Sequence, residues 1–488
     1  MLHSKLIFAF LLIFLASCQQ KHSKAPQPAI QGIWKKHGYG QIININKSEI
    51  SFYDITQKSC LPVESISLKN IKELGEIIKL TSDSLVLLSG INLYQYTRIK
   101  TLPEFCKLQN ETVLKDPVYN FEVFWNTFNE NYAFFEKRNI HWDQVYKDYR
   151  PRINQKTTDK DLYKLLNEII TKFNDGHITL DVPELVVKEA EIPKKIKDSA
   201  GGNRFSKIPN VSQMELRNAL LKRYIIKPNF WGRDLYGNGL VNWGITKENV
   251  GYIQINWMLF YRDYKIADSI KGSDYAEQYF KKAGNNPIHM TEEVKQARKI
   301  MDSVLMKLKN VDGIILDIRL NGGGYDAVSV EILNHFITKK TIAFSKKTWL
   351  GKTFSEPTPI YLSPSTNKFS GPVMLLTSHS TASAAEIMAM ASMGLKNFKR
   401  IGSSTEGIFS DMLEKKLPNG WGYSLSNQVY LNSSHENFEN SGIPPNINLA
   451  YLPDENKFRY SILKTISFGD PAIDTALSLI SKAKKGQH

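Results

Sequence analysis

Gly313-Ile-Ile-Leu-Asp317-Ile-Arg319-Leu-Asn321-Gly-Gly-Gly324 and, further on, Ser378-His-Ser-Thr-Ala-Ser383-Ala-Ala-Glu386 are the stretches whose reading decides the fold. Gly313 to Leu316 is an apolar run of strand length, closed by a glycine loop at Gly322–Gly324 and followed by a helical pattern from Asp326 to Phe336. Val373 to Leu376 is a second apolar run, and an alanine-rich helix follows from Ala384 to about Met393. Buried strands alternating with helices indicate an α/β layer. Ser383 then sits at a helix N-terminus, where free backbone N–H groups and the helix dipole favour developing negative charge. A Ser/Thr cluster at a helix start is equally an ordinary cap. The glycine loop offers bare N–H groups and access to positive φ. Such a loop cradles either a phosphate or an oxyanion. The chain shows neither GxxxxGK[ST] nor GxGxxG here, so the oxyanion reading assigns donors to Gly322 or Gly323 and to the Ala384 N–H.

Upstream of these stretches, Gly251 to Trp257 reads as a strand, and a helix carries Val294, Ala297, Met301, Val304 and Leu308. Residues 181–250, rich in Lys, Glu, Pro and Asn, read as an irregular cover or linker. Residues 115–180 read as a helical segment. Phe121, Trp125, Phe128, Tyr132 and Phe135 recur at three- and four-residue spacing, the pattern of a packed face. A second helix opens at Thr158, with Asp161 completing a capping pattern, and stops at the turn Asn174-Asp175-Gly176. His177 to Leu180 reads as a strand, which puts His177 at a helix–turn–strand junction. Residues 32–107 alternate with period two in short runs, predicting a small all-β module without a catalytic signature. The α/β core is assigned to 251–485, including a hairpin at Pro418-Asn419-Gly420 and a terminal helix beginning near Asp470.

The ordered motifs from about Phe121 to Leu479 resemble the tricorn and C-terminal-processing (tail-specific) serine peptidases, whose fold is shared by retinoid-binding modules of the interphotoreceptor matrix. The resemblance implies a ClpP/crotonase-like core and makes Ser383 the nucleophile. Members of the processing branch use a Ser–Lys dyad, but Ile408 stands where that lysine is expected, and Lys415 and Lys416 lie beyond it in a hairpin strand. Tricorn-like members use a histidine oriented by a glutamate. His177 matches that histidine, and Glu439 matches the glutamate ahead of Gly442-Ile-Pro-Pro445. Imidazole takes a serine proton near neutral pH, and a carboxylate fixes its tautomer. Alone, His177 reads as a buried histidine and Glu439 as a surface carboxylate. The place of tricorn's extra serine is taken by Gly176, and no PDZ-type carboxylate loop is found between Leu180 and Val250. The implied activity is endopeptidase hydrolysis of a peptide or protein through an acyl-enzyme, without cofactor or metal. No HExxH or CxxC pattern offers a metal site. A non-catalytic binding module and an esterase are the rivals, although Ser383 lacks a G-x-S-x-G elbow.

The 488 residues carry 63 basic and 48 acidic side chains, a net charge of +15, with 42% hydrophobic content. No arginine-rich block or aromatic-basic repeat points to nucleic acid. At the N-terminus, the apolar run Leu6–Leu15 is too short to span a bilayer and suits a signal-peptide core. Leu15-Ala-Ser-Cys18 resembles a bacterial lipobox, which implies a signal peptide over 1–18, lipidation at Cys18, a tether over 19–31 and an exported protein held at a membrane, facing the periplasm. Cys60 and Cys106 then lie in an oxidising compartment, either paired or as two buried thiols.

Overall fold

The computed structural model describes residues 29–107, 110–191 and 208–485. The signal peptide, Cys18 and nearly all of the tether lie outside the described residues. Among those described, no helix is long and apolar enough to cross a membrane.

The core sheet has seven strands in the spatial order Ile447–Asn448, Phe398–Gly402, Val373–Thr377, Ile314–Asp317, Gly251–Ile255, Val241–Ile245 and Asn229–Trp231. The first five run parallel; Val241–Ile245 pairs antiparallel with Gly251–Ile255, and Asn229–Trp231 pairs antiparallel with Val241–Ile245. Successive side chains of a strand point to opposite faces, and both faces here are covered. Ile314, Leu316, Val373 and Leu375 pack with Ala297, Met301 and Val304 and with the helices Asp326–Leu333 and Ala384–Ser392. Ile315, Met374 and Leu376 pack on the other side with Leu216, Leu220, Phe458, Ile462 and Ile473. This is the α/β architecture that the two apolar runs predict.

Two expectations need correction. The described parts of 181–250 are not irregular: they contain the helices Glu184–Ala190 and Gln213–Tyr224 and two strands of the core sheet, so the core begins before 251. Gln213–Tyr224 buries Leu216, Leu220 and Leu221 under the sheet, is capped by Ser212, and pairs Arg217 with Asp234. Its other face is polar, which hid the periodicity. His177 lies in a turn, and the strand after it is only Leu180–Asp181.

The helical segment forms a second core. Phe121, Phe124, Phe128, Trp142, Leu162, Leu166 and Phe173 pack against Trp421, Tyr423 and Leu425 of the C-terminal hairpin. Thr158 caps its helix as read, accepting the Asp161 N–H at 3.2 Å. The N-terminal module is a seven-stranded antiparallel sheet around Trp34. It docks on the hairpin region through Lys415, whose ammonium meets Asp54 at 2.6 Å and Gly40 O at 3.1 Å, and through Lys346, which donates to Asn92 Oδ1 at 2.6 Å.

Cys60 and Cys106 form a disulfide that ties the edge of the module to its exit. Because the bridge closes a loop of 46 residues, replacing both cysteines by serine should cost about 4 kcal/mol, read as a lowered denaturation midpoint. An unchanged midpoint would mean that the module does not unfold with that loop.

Candidate active site

The Ile314–Asp317 and Val373–Thr377 strands are parallel neighbours, so the loops leaving their C-terminal ends lie side by side, the usual location of a site in an open α/β sheet. The loop before Ser383 is tied to its neighbour by side chains: Thr381 Oγ1 donates to Ile318 O at 2.9 Å and Ser378 Oγ to Arg319 O at 2.5 Å. Arg319 is itself buried between Asp317 and Asp470, each at 2.7 Å, so this anchor does not shift cheaply.

Ser383 caps the Ala384–Ser392 helix with φ 52° and ψ −125°, a conformation that a residue with a Cβ adopts only when its surroundings compel it. The compelling groups are identifiable. Gly323, at φ +108°, passes so close that a Cβ on it would stand 2.6 Å from Ser383 Cβ and 3.1 Å from Ala384 N. On the other side Glu386, fully buried, accepts the Ser383 N–H at 3.2 Å, Thr405 Oγ1 at 2.5 Å and the N–H groups of Gly407 at 2.7 Å and Ile408 at 2.8 Å. Burial pushes the Glu386 carboxyl up to about 8 against the pull of these donors.

The three expected oxyanion donors differ in availability. Gly323 N–H is engaged by Asn321 Oδ1 at 2.9 Å. Gly322 is exposed, with the Trp257 ring 3.4 Å from where its Cβ would be. Ala384 is the first residue of its helix, where an N–H lacks an intrahelical acceptor. Of the three N–H groups, only that of Gly323 is engaged by an acceptor among the described residues.

The His177 turn approaches from the helical segment. His177 N–H donates to Asp175 Oδ1 at 3.0 Å, and its carbonyl accepts Ser424 Oγ at 2.7 Å. Gly176 packs on Ile408, where a Cβ would meet Ile408 Cδ1 at 2.4 Å and push that side chain aside. Ile408 thus joins the His177 turn to Glu386, and Glu386 joins it to Ser383. Among the described residues, no hydrogen bond links the Ser383 hydroxyl to the imidazole in this arrangement. Glu439, fully buried, takes Arg138 Nη2 at 2.7 Å and the N–H groups of Phe409 at 2.9 Å and Ser410 at 3.3 Å, rather than the imidazole. Burial and the nearby Asp175 carboxylate push Glu439 up to about 7, opposed by the Phe409 N–H and Arg138. Lys415 is committed to Asp54 at 2.6 Å and Gly40 O at 3.1 Å in the N-terminal module. Among the described residues, no cluster of three or more His, Cys, Asp or Glu side chains is arranged to hold a metal ion.

Sequence reasoning missed Arg138, which binds both the His177 turn and Glu439. It also missed the anchoring role of Glu386, although the motif ends on it. An isolated arginine after an aromatic helix carries no local signal. The donors converging on Glu386 from Thr405, Gly407 and Ile408 come from a loop about twenty residues away.

Residues 249–449 match peptidase family S41, and residues 115–171 match the tricorn protease C1 domain. The chain carries an S41 peptidase domain. Ser383, the glycine loop, Glu386 and Glu439 all fall inside that S41 domain, and Arg138 falls in the C1 match. The Bacillus subtilis carboxy-terminal processing proteases CtpA and CtpB are 30% and 28% identical to this chain over 176 and 163 residues. These alignments take in 36% of this chain and 36% of CtpA, and 33% of this chain and 31% of CtpB. The chain thus spans about a third of the length of the curated relatives it matches. A crystal structure from Parabacteroides merdae, described as that of a candidate peptidase, shares the fold with a TM-score of 0.53 and 20% identity, over 75% of this chain and 97% of that one.

Adding one methyl group separates the two glycines. Gly323→Ala, with a positive φ and no room for Cβ, should lower stability by about 2 kcal/mol or more. Gly322→Ala, which meets only ordinary contact, should cost under about 1 kcal/mol. Equal losses in denaturant titrations would contradict the packing described.

Proposed function

We propose that this protein is a serine endopeptidase that cleaves a peptide or protein substrate through an acyl-enzyme. The observation that carries the proposal is the strained Ser383 elbow pressed against Gly323, beside two N–H groups free to take an anion. In the cycle, His177 takes the Ser383 proton as the hydroxyl oxygen attacks the scissile carbonyl carbon. The carbonyl oxygen, now negative, is received by the N–H groups of Gly322 and Ala384. His177 passes its proton to the leaving amine, and water then hydrolyses the ester to release the acyl product. Glu439, reached through Arg138 and Asp175, supplies the negative charge that stabilises the imidazolium. Closure on substrate brings imidazole and hydroxyl together, since such bonds tighten in the substrate complex.

Support for peptide as substrate comes from the S41 match and from relatives that are carboxy-terminal processing proteases. The proposal extends to location: an exported protein, lipidated at Cys18 and facing the periplasm. Its support is the Leu15-Ala-Ser-Cys18 run together with the Cys60–Cys106 disulfide, a bond at home in an oxidising compartment.

A fluorophosphonate probe should label the wild-type protein on Ser383, and Ser383→Ala should lose both the label and peptide turnover, the latter by ~10⁴-fold or more. Folded wild-type protein that takes no label would favour a binding module, and cleavage of esters but not peptides would make it an esterase. Activity should also depend on pH with a definite sign. Protonating His177 removes the base, and Glu439, already raised to about 7, loses its charge over the same range. kcat/KM should therefore fall as pH drops below neutrality, and a flat profile down to pH ~5 would contradict the assignment.

A further inference from the structure

Arg138 lies on the loop that follows the aromatic helix, and its side chain is 2% exposed. Its guanidinium is shared between two segments that are distant in sequence. Toward the His177 turn, Nη1 donates to Asn174 O at 2.6 Å, and Nε faces Asp175 Oδ2 at 3.4 Å. Toward the opposite loop, Nη2 donates to Glu439 Oε1 at 2.7 Å and Nη1 approaches Asn440 Oδ1 at 3.3 Å. Asp175 passes the restraint on, since its other oxygen holds the His177 N–H at 3.0 Å. Its Oδ2 also accepts the Tyr132 hydroxyl at 2.9 Å.

We infer that Arg138 is a positioning residue that clamps the His177 turn to the Glu439 loop, setting where the imidazole and the carboxylate stand relative to Ser383. The inference rests on the peptidase reading above. A planar five-donor fork suits this role, because one ammonium cannot reach Asn174 O, Asp175 and Glu439 together. The clamp is also electrostatic. The charged and titratable groups facing Glu439 are Arg138, Lys137, Asp175, Glu386 and Tyr132. Asp175 opposes its ionisation, and the Arg138 guanidinium, at hydrogen-bond distance, favours it.

The test is the pH profile of kcat/KM for a model peptide, measured on wild type, Arg138→Met, Arg138→Lys and Asp175→Asn, with thermal midpoints recorded for each. Arg138→Met removes the cation, so the acid limb should move up by about one pH unit and kcat fall about 10²-fold. Arg138→Lys keeps the charge but not the fork, so the acid limb should stay near that of wild type while kcat falls about tenfold. Asp175→Asn removes the repelling anion and should move the limb down, which keeps the idea falsifiable even if Arg138→Met does not fold. A merely structural arginine would lower the midpoints without moving any acid limb, and that outcome overturns the inference. Ser383-dependent labelling of wild type accompanied by unmoved limbs sinks this inference alone. No labelling of wild type overturns the peptidase reading and the inference together.

Discussion

The contact between Gly323 and Ser383 is the constraint around which the rest of this molecule is arranged. Two adjacent parallel strands deliver their C-terminal loops to the same place, and the space between the loops admits no Cβ on the glycine side. Ser383 is held at a positive φ by that contact on one side and by Glu386 on the other. A single strained residue costs on the order of 1–3 kcal/mol. The buried Arg319–Asp317–Asp470 group and the two layers of helices supply the rigidity that offsets it. Half-buried Ser383 sits at the C-terminal end of the sheet, at the first N–H groups of a helix.

The remaining parts come from elsewhere in the chain and depend on packing to arrive. The helical segment reaches the site because its aromatic core continues into the C-terminal hairpin, and the same hairpin pins the His177 carbonyl through Ser424. The electrostatics work against stability here. Glu386 and Glu439 have folded pKa values raised to about 8 and about 7. An acid that is raised on folding binds its proton more tightly in the native state. Its contribution to stability is present below its unfolded pKa and is lost as pH rises through the folded value. The ionised Glu439 invoked in catalysis is therefore carried at a cost to the fold, the expected sense of a trade between stability and function.

Much of this was legible in the sequence because it is local. Ile314 to Leu316 and Val373 to Leu376 announce buried strands, and Gly322–Gly324 and Ser383 mark the loop and the helix start at their ends. The N-terminal module could be read as β from its alternation, though not its docking through Lys415 and Asp54, residues with no sequence relation to each other. The Gln213–Tyr224 helix was missed because only a narrow stripe of it, Leu216, Leu220 and Leu221, faces the sheet. Arg138 was missed for a different reason. Its meaning lies wholly in which carbonyls and carboxylates surround it, and those come from turns at 174–175 and 439–440 that only the folded chain brings together. The partners of Glu439 were equally out of reach, since two of them are backbone N–H groups.

The most direct measurement is a crystal structure of the protein after reaction with a fluorophosphonate. The account requires a phosphonyl group on Ser383 Oγ, with its negative oxygen ~3 Å from the N–H groups of Gly322 and Ala384 and the His177 imidazole beside the ester oxygen. An adduct whose oxygen points away from both N–H groups, with the imidazole not beside Ser383, would contradict it.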